Sequence, residues 1–409
     1  MNRVVITGMG IWSCIGQDLQ TVTESLKQGR SGIIFDPQRI EYGLHSGLTG
    51  DVPRPNLKPL LPRKYRATMS EDAEYAYMAA KQAFDQAGVD DTYLRENEVG
   101  IIFGNDGNPH VHEYLNIMDE EHDSLLLGPN AFFRSTTSSV SMNLSTIFHL
   151  KGINICVGAA CASGSQAIGL AMMCIRQGWQ DMILVGGSCA LDMRGIAVID
   201  AIEAISLRND EPAYASRPFD ADRDGMIPSG GAAALVLEEY EHAVARGATI
   251  IAEVCGYGFS SNGTEDISIP SAEAEFIAMQ RALADANVQP AEIDYVNAHG
   301  TSTPVGDIEE AKAVTRLFSG TKMPFVSSTK SMTGHENWMA GASEAVYSLL
   351  MMQNGFVAPN INLQNKIDEA KDLNIVTDTD YTPIRTILSN SSGMGGTNSA
   401  LVFKAMSSQ

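Results

Sequence analysis

The chain reads as an α/β protein with largely parallel, buried sheets. Three observations carry that reading. Short apolar runs of strand character recur at 3–7, 99–103, 182–185, 233–237, 293–297 and 401–404. Segments of helical periodicity separate them, such as 73–87, stopped by Gly88, and 274–286, opened by Ser271 as its cap. At 409 residues the chain exceeds what one ordinary core serves, which predicts two domains or a duplicated unit.

Each element follows from its residues. The opening 16 residues place Arg3 ahead of an apolar run, as a signal peptide would, but Gly8, Gly10 and Gly16 break that run into a strand and a turn. A helix over 73–87 leads to the strand 99–103. The strand 153–157 runs into a small-residue turn and an apolar helix over 166–176. After 233–237, a helix over 241–246 ends at Gly247 and a new strand, 249–256, begins. A boundary near Ile250 is expected there, dividing the chain into 1–250 and 251–409. No short repeat is visible, and a duplication of half the chain is compatible with the length without being displayed.

Hydrophobic residues make up 44% of the chain and charged residues 19%, the balance of a well-buried enzyme. The net charge of −21 argues against nucleic acid and against anionic membrane surfaces, because phosphates repel it. An acidic protein partner would need a local basic patch. Six cysteines, at 14, 156, 161, 174, 189 and 255, form no C-x-x-C pair, which fits a reduced, intracellular chain. No window offers about 18 consecutive apolar residues, so no membrane span is expected and the cytoplasm is the expected compartment.

The sharpest local feature is Gly158-Ala-Ala-Cys161-Ala-Ser-Gly-Ser165, between a strand and a helix. Small residues allow a tight turn that exposes the central side chain at the helix N-terminus, as in a nucleophile elbow. The helix dipole there favours thiolate, and the Cys161 N–H is placed to serve as an oxyanion donor. A buried structural cysteine in a Gly/Ala-rich crossing is the competing reading, and the local signal leaves both open. For Cys156, Cys174, Cys189 and Cys255 the structural reading is preferred. His299 lies in Asn297-Ala-His-Gly-Thr-Ser-Thr-Pro-Val-Gly-Asp307, directly after a strand, where α/β proteins place their chemistry. His335 closes Ser328-Thr-Lys-Ser-Met-Thr-Gly-His335, again after an apolar run. Taken singly, each is more often a satisfied hydrogen-bonding histidine.

Together these segments resemble the β-ketoacyl-acyl carrier protein synthases over nearly the whole chain. The resemblance includes Val4-Val-Ile-Thr-Gly-Met-Gly10, the Cys161 turn, Arg217-Pro-Phe-Asp-Ala-Asp-Arg-Asp-Gly225, His299-Gly-Thr-Ser-Thr-Pro, Lys330-Ser-Met-Thr-Gly-His335 and Asn390-Ser-Ser-Gly-Met-Gly-Gly-Thr-Asn398, in family order. The Cys-His-His set is similar to the elongating bacterial enzymes; initiating synthases carry Asn for the second His, and thiolases a second Cys. The resemblance implies a thiolase-like fold of two similar αβαβα halves in five layers, 1–250 carrying the nucleophile and 251–409 both histidines. It implies Cys161 as acylated nucleophile, His299 and His335 as ligands of the malonyl thioester oxygen, and Lys330 and Glu344 as their support. Thr301 and Thr303 would contact the phosphopantetheine arm, and the Met394 N–H would be the second oxyanion donor. The implied reaction is decarboxylative condensation of an acyl thioester with malonyl-acyl carrier protein in fatty acid elongation. It needs no metal or cofactor beyond the phosphopantetheine that the carrier brings. The implied assembly is a homodimer, or a heterodimer with a related chain-length factor.

The chain departs from the pattern in three places. Ser392 and Met394 stand where the elongating enzymes usually carry Phe, so a flexible Met replaces a gating ring. Glu336-Asn-Trp-Met339 replaces small residues after His335, which brings Trp338 to the site or the dimer seam. Residues 118–123 are acidic where relatives often present basic residues to the carrier, although Arg63, Lys64 and Arg66 form a basic cluster suited to docking. These departures leave open a specialised synthase of polyketide, polyene or aryl-polyene chains. A non-catalytic chain-length subunit is disfavoured by the intact Cys161. His110, His112, Asp119, Glu120 and His122 resemble a metal-ligand set and are read as a solvated acidic loop.

Overall fold

The computed structural model describes residues 1–107, 109–264 and 266–406. Its strands are β1 (Val4–Trp12), β2 (Ile33–Phe35), β3 (Leu48–Gly50), β4 (Gly100–Gly104), β5 (Asn154–Val157), β6 (Met182–Cys189), β7 (Gly231–Glu239), β8 (Ala252–Ser261), β9 (Tyr295–Asn297), β10 (Phe325–Ser327), β11 (Asn374–Ile375), β12 (Thr386–Gly393) and β13 (Thr397–Lys404). The main sheet runs β11-β10-β9-β12-β13-β8-β1-β7-β6-β4-β5, with β2 and β3 paired apart from it. Within it, β5-β4-β6-β7-β1 and β10-β9-β12-β13-β8 share one order: third, second, fourth, fifth and first strand of each set, with β11 added at the outer edge. The two sets meet where Val5 pairs with Glu253 and Ile6 with Ala252.

The expectation of largely parallel sheets is corrected. Pairing is parallel for β4–β5, β4–β6, β9–β10, β9–β12 and β10–β11. It is antiparallel for β6–β7, β1–β7, β1–β8, β8–β13 and β12–β13. Only Met394, Gly395 and Gly396 separate β12 from β13, and so short a turn forces a reversal. For β7 the run 231–237 is apolar and buried on both faces, and such a run carries no signal of strand direction.

The duplication that the sequence conceals shows in packing. The first strand of each set carries Gly-x-Gly under an alanine-rich helix. A Cβ on Gly8 or Gly10 would stand 2.0 or 2.1 Å from the carbonyl oxygens of Ala83 and Ala79. On Gly256 or Gly258 it would stand 2.3 or 2.0 Å from those of Ala282 and Ala278. In both sets the helix lies directly on the strand backbone, which excludes any side chain. Those helices, Glu71–Ala87 and Ala272–Ala286, start at Ser70 and Ser271, whose side chains accept the N–H of Ala73 and Ala274, and end at left-handed Gly88 and Asn287.

The layers follow from which faces are apolar. Helices Glu71–Ala87 and Ser139–Ile147 cover the outside of the first set, and Ala272–Ala286 and Gly306–Leu317 the outside of the second. Between the sets, helices Ser163–Arg176 and Ala340–Asn354 pack against each other, the second buried over most of its length. Helix, sheet, helix, sheet, helix makes five layers, the thiolase-like architecture that the resemblance implied. The central helices and the strand ends around them position the site. Among the described residues, no helix is long and apolar enough to cross a membrane.

Candidate active site

Cys161 stands at the mouth of the central helix Ser163–Arg176. After β5 the chain passes through Ala160, whose φ is +48°, into the short turn Ala160–Ala162. Ser163 fastens this turn: its hydroxyl donates to the Ala160 carbonyl at 2.6 Å and accepts the Ala159 N–H at 2.8 Å. The Asp106 carboxylate accepts the Ala160 N–H at 2.8 Å. Placement at a helix mouth is as the sequence expects; the state of the sulfur is not. Cys161 is only 7% exposed, and the left-handed residue is its neighbour Ala160. Burial pushes the thiol up from its ordinary value, against hydrogen bonding from the Met394 backbone and the charge of Lys330. The expectation of a favoured thiolate is therefore corrected: the helix end lowers the cost of charge, and desolvation outweighs it.

Two histidines from distant loops meet this sulfur. His335 Nε2 lies 3.0 Å from Cys161 Sγ. The His299 and His335 rings stand edge to face with centroids 5.3 Å apart, and one ligand atom from each of Cys161, His299 and His335 lies within 4.8 Å of the others. Their tautomers follow from the donors behind them. The Asn337 N–H donates to Nδ1 of His335 at 3.2 Å, and Lys330 Nζ lies 3.2 Å from Nδ1 of His299. A backbone amide and an ammonium can only donate, so each Nδ1 accepts and each Nε2 carries the proton. Burial, then the charge of Lys330, holds both rings well below the usual histidine range, with each other's proximity adding to the effect at His299. Both are neutral N–H donors.

Lys330 and Glu344, which the resemblance implied as support for the site, pair beside His299. Lys330 Nζ bonds Glu344 Oε1 as well as His299, and both side chains are almost wholly buried. The sequence reading missed Glu310. It is buried, and its carboxylate accepts the N–H groups of His299 and Gly300 at 2.6 Å each and Asn390 Nδ2 at 2.7 Å, clamping the loop that carries His299. The signal was present: Asp307, Glu310, Ala311 and Val314 share the buried stripe of one helix, so two acids fall on an apolar face. Asp307 accepts the Phe219 N–H at 2.7 Å, tying in the Arg217–Gly225 segment. Asn337, left-handed with φ +49°, was likewise missed as the residue that orients His335.

The remaining sequence-assigned residues divide. Thr301 and Thr303 lie on the His299 loop with their hydroxyls 2.9 Å apart. Met394 is half exposed in the turn between β12 and β13, its backbone countering the rise that burial causes in the Cys161 thiol, and Ser392 lies two residues before it in β12, opposite Asn398. Trp338 packs on Gly107, where a Cβ would stand 2.6 Å from the indole, and its Nε1 is buried without a partner among the described residues. Arg63, Lys64 and Arg66 form a short surface helix apart from the triad, Lys64 lying 4.6 Å over the Tyr65 ring. The acidic stretch 118–123, read as a loop, is mostly the end of a helix, Pro109–Glu121. Its residues and His110, His112 and His122 do not close into a donor group; among the described residues the group of metal-type donors is Cys161, His299 and His335. A thiol and two imidazoles at this spacing would suit a soft divalent ion as well as proton donation.

Residues 1–243 match the family model described as Beta-ketoacyl synthase, N-terminal domain, and 251–364 that described as Beta-ketoacyl synthase, C-terminal domain. The chain is 41% identical to the 3-oxoacyl-[acyl-carrier-protein] synthase 1 of Haemophilus influenzae, over 99% of both chains. It superimposes on the crystal structure of a beta-ketoacyl synthase from Burkholderia phymatum STM815 with a TM-score of 0.94, at 37% identity and with all of both chains covered. A ketosynthase solved with its type II PKS acyl-carrier protein and bound to a hexaketide gives a TM-score of 0.88 at 29% identity, covering 99% of this chain and 100% of that one.

Proposed function

The chain belongs to the beta-ketoacyl synthase family, and from that membership we propose that it condenses an acyl group held on Cys161 with malonyl-acyl carrier protein in fatty acid elongation. One observation carries the chemistry. Two neutral imidazoles, each with Nδ1 already engaged, turn their Nε2–H donors toward the space beside one sulfur.

The steps follow from what these groups can do. In the first, Cys161 attacks an acyl thioester and the carrier thiol leaves. The Nε2–H of His335 and the Met394 N–H favour the sulfur's negative charge, and its proton goes to the departing carrier sulfur, which leaves as the thiol. The N–H groups of Cys161 and Met394 form the oxyanion hole. In the second, malonyl-carrier protein places its thioester oxygen between His299 and His335. Carbon dioxide leaves, negative charge develops on that oxygen, and the two N–H donors stabilise it. A cationic pair would protonate the enolate; neutral donors stabilise it and leave the carbon nucleophilic. That carbon attacks acyl-Cys161 and the thiolate is released, giving a 3-oxoacyl chain longer by two carbons. Thr301 and Thr303 suit the amide-bearing phosphopantetheine arm, and no metal or further cofactor is required.

The acyl carrier protein is the partner. Arg63 and Lys64 have no acidic partner within 4.0 Å among the described residues, so they remain available to an acidic surface. We read 1–250 as the half bearing the nucleophile, 251–409 as the half bearing both histidines, and the active form as a homodimer in the cytoplasm. In support of the dimer, β5 ends the sheet and Ile155, Leu125, Leu126, Phe132 and Phe133 are exposed nearby in sequence. Reconstitution with acyl- and malonyl-carrier protein tests the function: a 3-oxoacyl product that Cys161→Ala does not form supports it, and its absence from wild type overturns it.

A further inference from the structure

The turn that carries Cys161 is strained at one residue. Ala160 sits at φ +48°, in the left-handed region that an alanine enters only at a cost. The peptide that follows it carries the Cys161 N–H, so the conformation of Ala160 decides where that donor points.

Both peptides flanking Ala160 are pinned. The one before it is held at its two ends: exposed Asp106 accepts the Ala160 N–H at 2.8 Å, and the Thr397 hydroxyl donates to the Ala159 carbonyl at 2.9 Å. The one after it is held by the Ser163 hydroxyl, which donates to the Ala160 carbonyl at 2.6 Å and so turns the Cys161 N–H the opposite way. Thr397 pairs with Gly393 across the turn that carries Met394, and a Cβ on Gly393 would stand 2.8 Å from the Ala159 oxygen. The two proposed oxyanion donors thus meet at one clamped peptide. Asp106 is itself fixed by the loop after β4: buried Asn105 donates its N–H to the Val157 carbonyl at 3.1 Å, and its side chain accepts the Gly107 N–H at 3.0 Å.

We propose that Asp106 is a positioning residue for the oxyanion hole: with Thr397 it holds the Ala159–Ala160 peptide, keeps Ala160 left-handed and fixes the aim of the Cys161 N–H. This inference rests on the condensing reading above. Without its acceptor the Ala160 N–H is released, the alanine relaxes toward ordinary backbone, and the peptide that carries the donor rotates. A glycine at 160 adopts the left-handed conformation without that cost, so it replaces part of the restraint that Asp106 supplies.

The experiment compares wild type, Asp106→Asn, Asp106→Ala, Ala160→Gly and the double variant Asp106→Ala/Ala160→Gly. Intact mass follows acyl loading of Cys161 from acyl-carrier protein. Carbon dioxide and 3-oxoacyl product are then counted after malonyl-carrier protein is added. Iodoacetamide alkylation of Cys161, which passes through no oxyanion, is the control on the sulfur itself. Asp106→Ala should load about tenfold more slowly and alkylate at the wild-type rate. It should also release more than one carbon dioxide per product, because the histidines still decarboxylate while attack on the acyl carbonyl lags. Asp106→Asn keeps an oxygen acceptor and should load nearly as wild type, and Ala160→Gly should restore most of the loading in the double variant. Unchanged loading in Asp106→Ala, equal losses of loading and alkylation, or a double variant no better than Asp106→Ala would overturn the positioning role while leaving condensation intact. Failure of wild type to load or condense would instead overturn the condensing reading.

Discussion

The Asn337 N–H donates to Nδ1 of His335 at 3.2 Å, and that bond decides that the ring meets Cys161 with a proton on Nε2. His335 is thus a donor first, and in the proposed mechanism it serves where charge develops on the malonyl thioester oxygen. His335→Ala should lower condensation by about 10²–10³-fold, the cost of one oxyanion donor. Acyl transfer to Cys161 should suffer less. Product formation and intact-mass loading, measured on the same samples, check the split; equal losses in both would show that His335 acts mainly at the first step.

Lys330 faces a different test because it serves two partners. Lys330→Met leaves Glu344 buried without its cation, a loss of about 3–5 kcal/mol for breaking a buried pair. The double variant Lys330→Met/Glu344→Gln removes both charges and should recover most of that stability. It should not recover activity, because Nδ1 of His299 still lacks its donor. Denaturant unfolding and condensation rates together check this. A double variant restored in both would reduce Lys330 to a structural role.

The thiol offers a pH test. Burial holds Cys161 above its ordinary value of 9.0, so the thiol form predominates at neutral pH. Iodoacetamide alkylation of Cys161 should rise about tenfold per pH unit from pH 6 to 9 without levelling. A plateau below pH 8 would show a resting thiolate and reinstate the helix end as the dominant influence.

Stability should fall with pH for a related reason. Glu336 is buried, accepts the hydroxyls of Ser343 at 2.5 Å and Tyr347 at 2.8 Å, and is pushed up to about 8 by desolvation. Its folded value lies above the unfolded one. The stability it contributes is therefore complete below about pH 4.5 and is lost as pH rises toward 8. Asp72 and Asp307, each raised to about 7 by burial, add to the same slope. Melting temperatures from pH 5 to 9 should decline, and less steeply in Glu336→Gln. Identical slopes would remove Glu336 from this account.

Much of the site was legible because its chemistry sits in contiguous motifs. Cys161, His299 and Lys330 each follow a strand within four residues and His335 closes the motif that Lys330 opens, and strand ends are where this architecture converges. Glu310 and Asn337 were not legible in the same way. The first acts through backbone amides ten and eleven residues upstream, and the second by its left-handed conformation. The burial of Cys161 was missed because small residues that permit a sharp turn also permit close packing over it. The duplication was hidden for a related reason. What the two sets share is a Gly-x-Gly strand beneath an alanine-rich helix, a requirement of space that leaves two pairs of glycines and little other sequence likeness. Strand direction stayed open wherever both faces were buried, as in β7.

The central claim is that Cys161 holds the growing chain while His299 and His335 drive loss of carbon dioxide from the second substrate. Mass spectrometry of the enzyme after acyl-carrier protein, and again after malonyl-carrier protein, tests this most directly. The expected result is an acyl adduct on Cys161 in wild type, His299→Ala and His335→Ala, discharged as a 3-oxoacyl product by wild type alone. An adduct on another residue, or discharge at the wild-type rate without either histidine, would contradict it.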